Sequence, residues 1–366
     1  MAVVVDVAHP ADDGGIRRLL RQQVIPGHIR LAFPREPDFS LGCSVTGDEY
    51  RILVARSQSD GAVVGVACRS VRQVYVNGRP QRLGYLGQLR IHERFRGRWL
   101  VSRGFALLHR MDEEDPVPAY LAAVVDGNRE ALGVLVNRRR RSFPQFRGVA
   151  RYRTLALPTR KSKRPVKAIG EIGPGSTEQL PEIVRFLRAE GPRRQLFPVW
   201  TEASLRSLRT LGLRPEDIRV ARRHGDIVGV TALWDQSAYK QTIVHGYSVW
   251  MRALARISRL TGRWLPLPSV PGAGREIRSA SAALVCIKDD DPEVFADLLR
   301  QIYDLACSRS FDYLLVGLES GDPLLKVARA ARHFTYSSRL FLVSWKNGGS
   351  YEQLDDRPVY VDIGSL

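Results

Sequence analysis

The chain has 366 residues, 44% hydrophobic and 26% charged, enough for two domains of ordinary size, each with its own core. No apolar run approaches the roughly 20 residues a membrane span needs, and the start MAVVVDVAHP lacks a basic flank, so a first strand is expected and not a signal peptide. The net charge of +18 rests on 49 Arg against 7 Lys, none of the Lys before Lys161; a G- and C-rich genome explains that bias as readily as a ligand does, and no nucleic-acid partner is expected.

In chain order, residues 3–7 read as a strand, and Asp12 and Asp13 start a helix through Gln23. Pro26, Pro34 and Pro37 then break any regular pattern from 24 to 41. Residues 50–57 and 62–76 read as strands joined at Ser59-Asp60-Gly61, and Asn77-Gly78 makes the next hairpin turn. Leu86, Leu89 and Ile91 mark a strand, and Val101, Phe105, Leu108 and Met111 recur at helical spacing behind it. Between them lies Arg94-Phe95-Arg96-Gly97-Arg98. A glycine in an arginine-rich turn before a helix offers bare N–H groups, a helix N-terminus and guanidinium forks, which suit a phosphate or pyrophosphate. Residues 120–125 read as a strand, Asn128-Arg129-Glu130-Ala131 opens a helix, the run Arg138-Arg139-Arg140-Arg141 closes it, and 149–157 alternates as a strand.

Residues 158–165 carry two prolines and four positive charges without apolar periodicity, which divides the chain into domains at 1–158 and 168–366 joined by a basic linker, 159–167. The second half repeats the order of the first. Residues 168–172 read as a strand, 177–190 as a helix capped by Ser176 or Thr177, and 218–221 with 227–233 as a hairpin turning at His224-Gly225-Asp226. A helix at 249–260, a loop at 263–268, a strand at 282–287, a helix at 294–307 and strands at 313–318 and 339–345 complete it. The turn before that last helix is Lys288-Asp289-Asp290-Asp291, whose carboxylates suit a helix N-terminus and would repel a pyrophosphate. Cys43, Cys68, Cys286 and Cys307 form no CxxC pair and read as buried thiols, and the histidines have no metal-like spacing. A cytoplasmic protein is the default.

The strand end Leu89-Arg90-Ile91-His92, the Arg96-Gly97-Arg98 turn with its helix, and the Asn128-x-x-Ala131 segment together resemble the GNAT superfamily of acyl-CoA-dependent N-acyltransferases. The resemblance covers most of the first 157 residues. It implies an α/β (α+β) fold of two GNAT-like domains, each a mixed, mostly antiparallel twisted sheet flanked by helices, with the second degenerate. Acetyl-CoA or another acyl-CoA would be the co-substrate, and a small-molecule or protein amine the acceptor. By the same resemblance Leu89 and Ile91 would meet the pantetheine and supply an oxyanion donor, Gly97 and Arg98 would meet the pyrophosphate with Arg96 in support, and Asn128 would touch the pantetheine arm.

The sequence departs from the family at Trp99 and Val101, where small residues are usual, and at Leu135, where many members carry a tyrosine. The fourth strand has no carboxylate to act as base, which leaves Gln88 to hold a water, His92 as a base and Tyr85 or Tyr152 as an acid. Trp99 is expected to pack behind the loop, beside Leu100 and Val101. Two readings stay open: an N-acyltransferase, favoured by the retained turn and Asn128, and a catalytically inactive GNAT-fold protein that senses acyl-CoA or binds an acidic partner through its basic surface, favoured by the departures.

Overall fold

The computed structural model describes residues 2–25, 29–97, 99–136, 143–159, 171–247, 272–345 and 354–366. Strand β1 (Val3–Val7) and helix α1 (Asp13–Gln22) form where the sequence places them. Asp12 fixes the turn between them, accepting from the His9 N–H at 2.6 Å and pairing with Arg56 on the sheet. Ile16, Leu19 and Leu20 make a stripe at i, i+3, i+4 that packs α1 onto Val54, Val66 and Cys68. The proline-broken stretch is more regular than expected, because it carries β2 (Val24–Ile25), β3 (Ile29–Ala32) and α2 (Phe39–Ser44).

Strands β4 (Glu49–Ser57), β5 (Val63–Val76) and β6 (Arg79–Ile91) form an antiparallel meander. Its second turn has Asn77 and Gly78 at φ 50° and 78°, the left-handed pair that matches the twist of a hairpin. Helix α3 (Leu100–Glu114) leads to β7 (Tyr120–Val125), which runs parallel to β6. A short helical segment from Arg129 to Val136 then precedes β8 (Gln145–Pro158).

The second half continues with β9 (Ile172–Pro174), the helix Leu180–Glu190, the hairpin β10 (Ile218–Arg223) and β11 (Asp226–Trp234), and β12 (Ile243–Tyr247). After it come β13 (Ser279–Ile287), the helix Pro292–Ser308, β14 (Tyr313–Glu319) and β15 (Phe334–Ser344). The cap expected at Ser176 or Thr177 moves to Gln179, whose side chain makes no cap bond. The four-arginine run at 138–141, the linker from 160 onward and the segments expected at 249–260 and 263–268 lie outside the described residues.

One 12-stranded sheet joins the halves, in the order β1-β4-β5-β6-β7-β15-β8-β14-β13-β11-β10-β9. The last strand of the second half, β15, lies between β7 and β8, while the last strand of the first half, β8, lies against β14. The halves have therefore exchanged their final strands. Neighbours are antiparallel except for β6–β7 and β13–β14, which occupy equivalent places in the two halves. Glycines permit close packing beside them: a Cβ on Gly84 of β6 would lie 2.1 Å from the Tyr120 ring of β7, and one on Gly317 of β14 2.1 Å from the Tyr152 hydroxyl of β8. The largest core lies in the second half, where Ile183, Leu187, Leu298 and Ile302 of two helices cover β11 and β13. Among the described residues no helix is long and apolar enough to cross a membrane.

Candidate functional site

Strand β6 keeps β7 as a neighbour only from Gly84 to Leu86, opposite Tyr120 to Ala122. The cause is a bulge. Val66 of β5 faces Arg90 and Cys68 faces Gly87, so Gln88 and Leu89 together oppose the single residue Ala67, and Gln88 sits at φ 57°. A bulge bends its strand and re-aims the residues beyond it, and here it splays β6 from β7. Gly87 is required at the bend, since a Cβ there would stand 2.5 Å from the Tyr85 ring. The splay opens a cavity of about 490 Å³.

Strand β13 repeats the device. Cys286 faces Val230 and Ala283 faces Ala232, with Leu284 at φ 53°, and β14 pairs with β13 only from Ser279 to Ser281. This second splay is filled by the chain itself. Asp362 accepts from the Leu284 N–H at 2.8 Å and from the Gly364 N–H at 2.9 Å, and Tyr360 donates to it at 3.2 Å. Gly364 lies so close to Trp234 that a Cβ would meet the indole at 2.3 Å. At the end of this splayed strand, Asp291 caps the helix Pro292–Ser308, and Asp290 and Asp289 pair with Arg194 and Arg193. The capping expected of this acidic turn holds for Asp291.

The open cavity has two kinds of wall. On the α3 side Val101, Phe105, Leu108, Leu135 and Phe146 make it apolar, and Gly104 of α3 adds open space, with nothing within 4 Å of a Cβ built there. Polar groups of the wall come from both halves, through Arg35, Arg90, Gln236, Lys240 and Ser281. Strand β12 pairs with β3, and the Gln241 amide bridges Glu36 by accepting from its N–H and donating to its carbonyl, each at 3.0 Å. That joint brings Lys240 against the segment that holds Arg35. Lys240 Nζ donates to the main-chain oxygen of Leu366 at 2.5 Å and to Gln236 Oε1 at 3.4 Å. Burial, and after it the Arg35 charge, lowers the Lys240 ammonium to about 7. Burial likewise lowers Arg35 to about 10, with the Arg90 charge adding to it, and raises the Tyr85 hydroxyl to about 12.

At the mouth, Phe95 and Leu100 are buried with Val3 and Val64 and anchor the Arg96–Gly97 turn between them. Gly97 adopts φ 76° and a Cβ there would meet nothing within 4 Å, so its backbone is open to a ligand. Trp99 stands at the N-cap of α3 at φ 59° and makes no side-chain cap, which leaves the first N–H groups of the helix without one. The expectation for Trp99 is corrected, because its indole is 60% exposed and the residue that packs inward is Leu100.

Of the residues singled out from sequence, Tyr85, Gln88, Leu89, Ile91 and Asn128 line the cavity. The Asn128 side chain is engaged locally, accepting from the Ala131 N–H at 3.0 Å. Arg96 pairs with Glu130 at 2.9 Å on the surface beside Gly97, and Arg98 lies outside the described residues. His92 is at the strand end, its Nδ1 accepting from the Arg94 N–H at 3.3 Å, and is not part of the cavity wall. Tyr152 is sealed in the core, 1% exposed, and donates to the Val361 carbonyl at 2.8 Å, so the structure does not bring it to the cleft. Sequence reading missed Arg35, Gln236 and Lys240, since no local pattern shows that residues some 200 positions apart share a wall.

No family model and no curated protein matches this sequence. Solved structures do resemble it. Saccharomyces cerevisiae N-myristoyltransferase with bound myristoyl-CoA superposes with a TM-score of 0.64 at 10% identity, over 93% of this chain and 82% of that one. A GCN5-related glucosamine N-acetyltransferase region of a fungal multi-domain GH3 beta-N-acetylglucosaminidase gives 0.60 at 16% identity, over 93% of this chain and 38% of the other. A GCN5-related N-acetyltransferase from Sphaerobacter thermophilus gives 0.53 at 14% identity, over 100% and 98%. The fold is thus the GNAT fold, present twice.

Proposed function

We propose that this chain moves an acyl group from acyl-CoA to an amine acceptor, using the cleft between β6 and β7. One observation carries the reading: two equivalent bulged strands open two clefts, of which the second is occupied by Asp362 and the first is an open cavity of about 490 Å³. The pyrophosphate would lie on Gly97 and the uncapped start of α3, with Arg96 and Arg98 in support. The pantetheine would run along Leu89, Ile91 and Asn128, and the acyl chain along the apolar wall at Phe105 and Leu108. That wall, and the myristoyl-CoA bound in the yeast structure, support acyl groups longer than acetyl as well as acetyl itself. The two-domain division at 159–167 and a cytoplasmic location are part of the same proposal. The structural likenesses lend no support to the inactive binding-protein alternative.

In the reaction, a neutral amine nitrogen attacks the thioester carbon, and its carbonyl oxygen takes the negative charge. A backbone N–H of the splayed β6 would receive it. The C–S bond then breaks and the thiolate needs a proton. Tyr85, raised to about 12, stays protonated at neutral pH and suits that donation. Lys240, lowered to about 7, is in part neutral at the same pH and suits taking the proton from the amine, while Gln88 could hold an intervening water. His92 and Tyr152 have no place in this scheme. The test is release of free CoA from acetyl-, octanoyl- and myristoyl-CoA with mixed amines and amino-terminal peptides. We expect acylated product by mass and its loss in Gly104→Phe, which fills the cavity from α3. No product from any donor would overturn the enzyme reading.

A further inference from the structure

We infer that the acceptor carries a carboxylate, which Arg35 and Arg90 hold in the cleft; the inference rests on the acyl-transfer reading above. Arg35 is 4% exposed and lines the cavity, yet among the described residues its hydrogen bond is from Nη1 to the carbonyl of its own neighbour Pro34, at 3.1 Å. Arg90 enters the same cavity from β6, and its Nη1 donates to the carbonyl of Leu89 at 2.9 Å. Among the described residues neither guanidinium is paired with a carboxylate. Two other buried arginines are, since Arg69 meets Asp115 and Arg194 meets Asp290 and Asp322, while Arg219, away from the cavity, donates to the carbonyls of Glu216 and Ile218.

The acidic residues nearest in sequence are used elsewhere. Glu36 pairs with Arg17 and Arg21 of α1, and Asp38 caps α2 through the Ser40 N–H at 2.7 Å. The titratable groups that act on Arg35 include Cys43 and Tyr239, Tyr85 acts on Arg90, and Lys240 stands close enough to feel the Arg35 charge. A buried guanidinium with a second, half-buried one beside it is costly unless an anion neutralises the pair. Their planar forks match a carboxylate, which has two oxygens to offer. The position assigns this anion to the acceptor. Arg35 comes from the segment between β3 and α2, and its neighbour Lys240 from the second half. The Gly97 turn and the apolar α3 wall, where acyl-CoA would enter, belong to other segments of the chain than Arg35 and Lys240. A carboxylate held by Arg35 leaves the amine of an amino acid near Lys240.

The full chain tests this by thermal unfolding and calorimetry at constant ionic strength. The probes are acetate, phosphate and a set of amino acids including glycine, β-alanine and L-glutamate, each amino acid compared with its amide. We expect at least one amino acid to stabilise the protein saturably where its amide does not, and acetate to stabilise more than phosphate. Arg35→Met should weaken the binding of that amino acid by about tenfold or more, as loss of a charge-assisted bond implies, and leave acyl-CoA affinity unchanged. Arg35→Lys, which keeps the charge and loses the fork, should fall between, and serves if the Met variant does not fold. Equal binding of acids and amides, preference for phosphate, no binding at all, or unchanged affinity in both variants would overturn the inference. Succinyl-CoA binding tenfold tighter than butyryl-CoA, with the difference lost in Arg35→Met, would move the carboxylate to the acyl donor and overturn its assignment to the acceptor. If amino acids bind and no acyl-CoA does, the carboxylate site stands and the acyl-transfer reading falls alone.

Discussion

Lys240 gains its chemistry from position, and nothing in the sequence around it reveals this. Burial and the Arg35 charge lower it from 10.5 to about 7 in the fold. Between those two values the unfolded chain binds a proton that the folded chain does not, so this residue makes stability rise with pH across that window. In Lys240→Met the gain in urea-unfolding stability from pH 7 to pH 9 should shrink. An unchanged gain would contradict a neutral, buried Lys240. The residues that sequence could find were those tied to local geometry. Gly97 lies in a turn whose neighbours name it, whereas Trp99, an apolar residue among apolar neighbours, was expected inside and proved exposed. Tyr152 had the right residue type for an acid but fell on the inward face of β8.

Among elements, hairpins were legible because a turn is decided within a few residues, as at Asn77-Gly78 and His224-Gly225. The pairing of β3 with β12 was not, since it joins short strands more than 200 residues apart and obeys no local period. The bulges at Gln88 and Leu284 were equally hidden, because a non-glycine at positive φ leaves no mark on composition. Their fates differ through one carboxylate. Asp362→Ala should destabilise the chain by about 1–3 kcal/mol for each buried N–H it leaves unsatisfied, namely those of Leu284 and Gly364. Urea unfolding measures this, and a change near zero would mean that the C-terminal segment does not hold the second cleft.

For the whole molecule, the repeat of element order was readable and the exchange of strands was not, because a strand pattern does not say which sheet completes it. β15 lies between β7 and β8, so neither proposed half holds all the strands of its own sheet. Proteolytic cleavage within 160–170 should therefore leave the two pieces associated, eluting together from a sizing column under native conditions. Separate elution of two folded fragments would contradict the exchange. The same architecture predicts one acyl-CoA site in a chain with two GNAT folds. Calorimetric titration of the full chain with myristoyl-CoA, acetyl-CoA and CoA tests this most directly. The account predicts binding at one ligand per chain, lost in Gly104→Phe; two sites per chain, or binding that survives a filled first cleft, would contradict it.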